Sequence, residues 1–194
     1  EMEKDSCGTG LIAQLNGTKS HQLIEDALLM LSNMEHRGAC GYEPNTGDGA
    51  GILIQLPDTY FRTWWKEHGI DLPVFGRYAV GFLFLPKDPS AQLASKEIFE
   101  SCIADMDMEV IGYRPVPTNP DGLGKSALAV EPYMEQIFIR PKETLEPKVF
   151  ERKLLVLRKY GTHMVHTAEP AWKDFFYLCS LSYKTIVYKG QLTT

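Results

Sequence analysis

The stretch EMEKDSCGTG places a cysteine at position 7, directly before a small glycine-bracketed turn. A thiol attacks as its thiolate, and a nucleophile needs a base within hydrogen-bond reach. Cleavage of the Ser6–Cys7 bond would leave a free α-amine on the residue that carries the thiol. Such an amine has an ordinary pKa of about 7.7 to 8.0, close to working pH, so it can accept a proton without a separate histidine. Cys7 would then be nucleophile and base together. The same position also admits a plainer reading, a small buried hydrophobe at the start of a strand.

Two other groups of residues have spacing that invites chemistry. The loop TGDGAG, residues 46–51, is glycine-rich, yet it lacks the spacing of a dinucleotide-binding loop, the lysine of a P-loop and a helix to follow. A strand follows instead. Its glycines are read as permitting a tight turn and close backbone packing under the nucleophile, with Asp48 bonding its own loop amides. His163 and His166 are spaced like zinc ligands, but no further cysteine or histidine lies nearby, so no metal site is expected.

The elements that must position these residues follow from hydrophobic period and turn chemistry. Residues 10–15 (GLIAQL) read as a first strand, closed by the turn dipeptide Asn16-Gly17. Ser20 then caps a helix whose Leu23, Ala27, Leu31 and Met34 share one face and which ends near Gly38. After the glycine loop, 52–56 form a strand stopped by Pro57, and 60–65 a short helix. Residues 78–85 (YAVGFLFL) are apolar on both faces, which predicts a central strand covered on each side. Asp88 as cap and Pro89 at the first helical position begin another helix, with Ile98, Phe99, Cys102, Ile103 and Met106 inward. Strands at 109–115 and 136–140 flank a polar loop at 118–125, and a helix at 148–160 turns Phe150, Leu154 and Leu157 inward. Strands at 175–181 and 185–188 close the chain as a hairpin around Ser182 and Tyr183. Strands and helices are mixed without strict alternation, so the expected class is α+β with largely antiparallel sheets covered by helices.

Composition limits the partners. The 194 residues fit one large domain, and 44% hydrophobic content suffices for an ordinary core. A formal net charge of −5 with no basic run gives no electrostatic reason to approach nucleic acid or an anionic membrane. No apolar stretch reaches the roughly 20 residues of a membrane span. The four cysteines, Cys7, Cys40, Cys102 and Cys179, form no CxxC pair and point to a reducing compartment. The chain begins at Glu1 rather than methionine, which is read as trimming from something longer.

The segment Cys7-Gly8-Thr9-Gly10, a helix ending in Met34-Glu35-His36-Arg37-Gly38, and the TGDGAG loop, in this order, resemble the N-terminal class II glutamine amidotransferase domain of glutamate synthase large subunits. The tail SLSYKTIVYKGQL, residues 180–192, resembles that family's paired strands as well. The resemblance implies the N-terminal-nucleophile (Ntn) hydrolase fold, a four-layer αββα sandwich of largely antiparallel sheets, present here as part of a domain over 7–194. It implies that 1–6 are a propeptide remnant whose removal frees the Cys7 amine; until then that nitrogen is an amide and the precursor is inactive. The implied chemistry is attack of the Cys7 thiolate on the side-chain amide of glutamine, loss of ammonia, and hydrolysis of a γ-glutamyl thioester.

The resemblance also assigns supporting roles. Arg37 and Gly38 match an HRG segment near the nucleophile, where a guanidinium holds the loop and favours the thiolate; capping of the preceding helix by Arg37 is the competing reading. His36 is expected to pack or cap. The family's Asn-Gly oxyanion motif and its HSRFST-like carboxylate-binding motif lie beyond the strand matching 185–189, and neither follows Lys189 here. Losing one oxyanion donor costs roughly 10²- to 10³-fold in rate, so these 194 residues alone are expected to be nearly inactive. No cofactor is expected in this segment; FMN and an iron–sulfur cluster are implied for the full-length enzyme, in domains where ammonia meets 2-oxoglutarate. Implied partners are glutamine, the rest of the polypeptide and a small electron-transfer subunit, in the cytoplasm or, for a photosynthetic eukaryote, a plastid. Two alternatives remain: a non-catalytic amidotransferase-like module, and an Ntn hydrolase acting on another amide.

Overall fold

A computed structural model describes residues 7–38, 43, 45–47 and 49–190. The first 32 of these are the least regular. Residues 10–15, expected as a strand, pair with no other strand among the described residues; Leu11 is 88% exposed and Leu15 fully so. A strand is held by its ladder partner, and alternation alone cannot supply one. The predicted turn does form: Gly17 has φ +71° and donates to the Gln14 carbonyl at 3.1 Å, while Asn16 Oδ1 accepts from the Thr18 amide at 3.0 Å.

Helix α1 spans Gln22–Ser32 and follows His21, with no side-chain cap, rather than starting from Ser20. It turns Leu23, Ile24, Ala27, Met30 and Leu31 partly inward, the helical spacing anticipated, but buries none of them fully. It also ends earlier than expected. Ser32 Oγ donates back to the Leu28 carbonyl at 3.2 Å, and the chain continues as a separate 3₁₀ turn, Glu35–Arg37.

Strand β1 (Ala50–Gln55) leads through Pro57 into helix α2 (Asp58–Glu67), which buries Phe61 and Trp65. Strand β2 (Ala79–Leu85) is buried along nearly its whole length. Helix α3 (Pro89–Asp105) starts as its local signals require: the Asp88 carboxylate accepts from the Ala91 amide at 2.8 Å and Pro89 occupies the first turn. Strand β3 (Met108–Pro115), the unanticipated six-residue helix α4 (Lys125–Val130) and strand β4 (Tyr133–Pro141) follow.

Helix α5 (Pro147–Ala168) runs eight residues past its expected end at Tyr160. Gly161 is no terminator. A Cβ there would lie 2.4 Å from Phe99 Cε2, so this glycine lets α5 pack tightly on α3. Strands β5 (Tyr177–Ser182) and β6 (Thr185–Gly190) complete the chain.

The strands form two sheets, one of order β3-β4-β2-β5 and one pairing β1 with β6. In the first, β2 is antiparallel to both neighbours, with Val80 opposite Phe138 and Ser182, and β3 is antiparallel to β4. The expected β5–β6 hairpin is therefore corrected. The two strands are consecutive in sequence but belong to different sheets, and side chains rather than a ladder link them: Ser180 Oγ accepts from the Val187 amide at 3.1 Å. Ser182 holds the crossing point, its Oγ accepting from the Lys184 amide at 3.0 Å and donating to Glu151 at 2.6 Å.

The chain divides into two units. One comprises the described residues up to Ile52 with Asn119–Val130 and the chain from Tyr188; the other comprises Leu53–Thr118 and Glu131–Val187. The second holds the main core, where α3 and α5 cover one face of the four-stranded sheet through Phe99, Ile103, Phe150, Leu154 and Leu157. Around Phe138 pack the rings of Phe61, Trp65 and Tyr78, with centroids 5.0, 5.1 and 6.3 Å away.

Candidate functional site

Cys7 is exposed and its thiol is free. Among the described residues no strand follows it, in contrast to the expected strand start; the chain is carried across the α1 end by glycines instead. A Cβ on Gly8 would meet Met34 Sδ at 3.0 Å and the Cβ and Cγ of Arg37 at 3.3 and 3.4 Å. One on Gly10 would overlap the Met30 thioether at 2.4 Å. Residues 8 and 10 lie flat on the methionine side chains because neither carries a side chain of its own.

The residue after Cys7 thus sits on the stem of Arg37, and this brings the first two predicted site elements together. Arg37 closes the 3₁₀ turn, its amide donating to the Met34 carbonyl at 2.8 Å, and Gly38 leaves in extended geometry (φ −85°, ψ 161°). The Arg37 side chain is exposed, and its guanidinium makes no hydrogen bond or ion pair among the described residues. It does not cap α1, which has already ended at Ser32. His36 is exposed on the same turn.

Of the TGDGAG loop, Thr46, Gly47, Gly49, Ala50 and Gly51 are described; Asp48 and Cys40 lie outside the described residues. Gly49 has φ +88°, which a side chain would strain. A Cβ on Gly51 would lie 2.8 Å from the Tyr188 carbonyl oxygen, so here β1 approaches β6 as only glycine allows. The close backbone approach seen here is to Tyr188 of β6; the expected packing under Cys7 is not among the contacts of the described loop glycines.

A cluster that sequence reading missed anchors the segment before this loop. The Glu43 carboxylate accepts from the Ser126 amide and from the Thr46 hydroxyl, both at 3.1 Å. Asn45 Nδ2 donates to the Gly122 carbonyl at 2.9 Å, and the Asn45 carbonyl accepts from the Gly124 amide at 3.2 Å. The Ser126 hydrogen bond, above all, holds the Glu43 carboxyl below its ordinary pKa. Nothing local in the sequence marks Glu43 for this role, because its partner is 83 residues away.

The second unit also holds a buried charge. Arg114 on β3 donates through Nη1 to Gln136 Oε1 at 3.0 Å and through Nη2 to the Tyr60 hydroxyl, and lies over the rings of Tyr60 and Trp64. Its Nε has no hydrogen-bond partner among the described residues. A charge in an apolar strand, facing aromatic residues four apart on a helix, is the signal that could have found it.

No group of three or more His, Cys, Asp or Glu able to hold a metal occurs among the described residues, and Cys102 and Cys179 are buried singly. His163 and His166 line an open cleft beside α5. No described helix is long and apolar enough to cross a membrane.

Comparison with known proteins matches residues 7–194 to the family described as Glutamine amidotransferases class-II. Similar proteins include Ferredoxin-dependent glutamate synthase 1, chloroplastic/mitochondrial, from Arabidopsis thaliana, 37% identical over 98% of this chain. A glutamate synthase large chain of Bacillus subtilis (strain 168), whose name specifies NADPH, is 39% identical over 100% of this chain. Ferredoxin-dependent glutamate synthase 2 of Synechocystis is 36% identical over 98%. This chain spans 12% of the length of each of these relatives.

Proposed function

Because this chain belongs to the class II glutamine amidotransferases, we propose that it supplies ammonia from glutamine within a glutamate synthase. The observation that carries the reading is the reach of the family match, which begins at Cys7 itself. The exposed thiol and the glycine path that lays residue 8 on the Arg37 stem support it.

In this reading, removal of 1–6 turns the Cys7 nitrogen from an amide into an amine. The amine takes the thiol proton, and the thiolate attacks the side-chain carbonyl carbon of glutamine. The tetrahedral intermediate collapses as the carbon–nitrogen bond breaks, the leaving nitrogen taking the proton from the amine to depart as ammonia. Water, deprotonated by the same amine, then attacks the thioester carbon. The sulfur leaves and glutamate is released. Arg37 adds a positive charge near the corner where the thiolate forms, and Gly38 and Asp48 shape the loops around it.

Ammonia would pass to the synthase part of the full-length polypeptide, where FMN and an iron–sulfur cluster would supply the electron transfer needed to turn it and 2-oxoglutarate into glutamate, with electrons from a carrier protein or nicotinamide. Among the described residues the thiols of Cys7, Cys102 and Cys179 are not grouped as an iron–sulfur cluster requires, and this reading assigns the FMN and the cluster to the rest of the full-length polypeptide. A cytoplasmic or plastid location suits this assignment.

The test is mass spectrometry of the polypeptide from its source cell, before and after treatment with a glutamine-analogue electrophile. The expected product begins at Cys7 and carries one label there, and Cys7→Ala abolishes both the label and ammonia release. A mature product that keeps residues 1–6 and takes no label would overturn the assignment in favour of a binding module.

A further inference from the structure

The geometry points to an oxyanion-binding cleft on α5, built for a phosphate or carboxylate group. The cleft encloses about 260 Å³ and is lined on the helix by Arg158, Lys159, Thr162, His163 and His166, with Tyr177 of β5 opposite. It contains two cations and two imidazoles and no carboxylate, in a chain whose overall charge is −5. Arg158 and Lys159 stand side by side on the helix with no carboxylate in the cleft lining to answer them, and a bound anion supplies that missing counter-charge.

The donors are held ready. Arg158 Nη1 donates to the Cys179 carbonyl at 3.0 Å, which orients the guanidinium and leaves its Nε and Nη2 without a partner among the described residues. His166 Nε2 lies 2.9 Å from the Phe176 carbonyl, an acceptor, so that nitrogen carries the proton and Nδ1, an acceptor, offers an anion no hydrogen bond; this ring is wall rather than ligand. Thr162 donates its hydroxyl proton back to the Arg158 carbonyl at 2.7 Å, so its oxygen retains only acceptor capacity and is wall rather than ligand. Lys159 is exposed, has no partner among the described residues, and is the one long cation free to swing over an anion.

The test is an amide-resolved nuclear magnetic resonance titration of the full chain with inorganic phosphate and, separately, succinate, at constant ionic strength. Saturable shifts confined to residues 158–166 and 177–178 are expected; phosphate alone or succinate alone producing them identifies which oxyanion the cleft takes. Lys159→Gln should weaken binding by roughly tenfold, the usual worth of a charge-assisted hydrogen bond. Lys148→Gln removes the same charge about 16 Å along the helix, beyond the screening length near physiological salt, and should change nothing. Absence of saturation with both anions, or equal weakening by the two variants, would overturn the assignment.

Discussion

Gly161 shows how one missing side chain sets a helix–helix distance. Alanine is the better helix former by about 1 kcal/mol. A methyl group there would nonetheless fall 2.4 and 2.5 Å from ring carbons of the buried Phe99. Overpacking of that kind costs about 1–3 kcal/mol, which exceeds the propensity gain. Gly161→Ala should therefore lower stability in urea denaturation by up to about 2 kcal/mol, with most of it regained when Phe99→Leu is added; a stabilised single variant would contradict the packing account. Cys7 and Arg37 were legible as chemical types, since a thiol and a guanidinium can do few things. Glu43 and Arg114 were not, because what makes each unusual is a partner distant in sequence.

Helix α3 was readable because its start is a local contract between Asp88, Pro89 and the first-turn amides. The same contact makes a pH prediction. The Ser90 hydroxyl, above all, and the Ala91 amide hold the Asp88 carboxyl below its ordinary pKa. A carboxyl lowered in the folded state stabilises above its unfolded pKa, and that stabilisation is lost as pH falls through the folded value. The urea midpoint of the wild type should accordingly fall on acidification by more than that of Asp88→Asn, which still caps but does not titrate. Parallel pH profiles for the two would remove Asp88 from the account. Glu43 obeys the same sign rule, so acid should speed hydrogen exchange at Ser126 and the rest of α4, whereas Glu43→Gln should exchange fast at neutral pH already. Strands β5 and β6 lie at the opposite limit of legibility. Their period was right and their pairing wrong, since alternation reveals faces but is silent about which edge a strand joins.

At the scale of the molecule, burial is uneven. Nearly all fully buried hydrophobic residues belong to the unit of 53–118 and 131–187, and the other contributes only Ala127 among the described residues. Local opening is cheapest where few apolar groups are buried. Amides of α1 should thus exchange well before those of β2 and β4, and equal protection would contradict this division of stability. Phe138, fully buried among three other rings, is the converse case: Phe138→Ala should cost about 3–5 kcal/mol in urea denaturation. By itself the sequence determined what rests on neighbours in the chain: the helix periods, the Asp88 cap, the Asn16-Gly17 turn and the doubly buried β2. Tertiary structure alone decided that residues 10–15 pair with no other strand among the described residues, that β5 and β6 part into different sheets, that Gly161 is a contact rather than an end, and that residue 8 rests on Arg37. The physical reason is range: caps and turns are satisfied within a few residues, whereas ladder partners, close backbone approaches and buried charges depend on chain segments brought together only by folding.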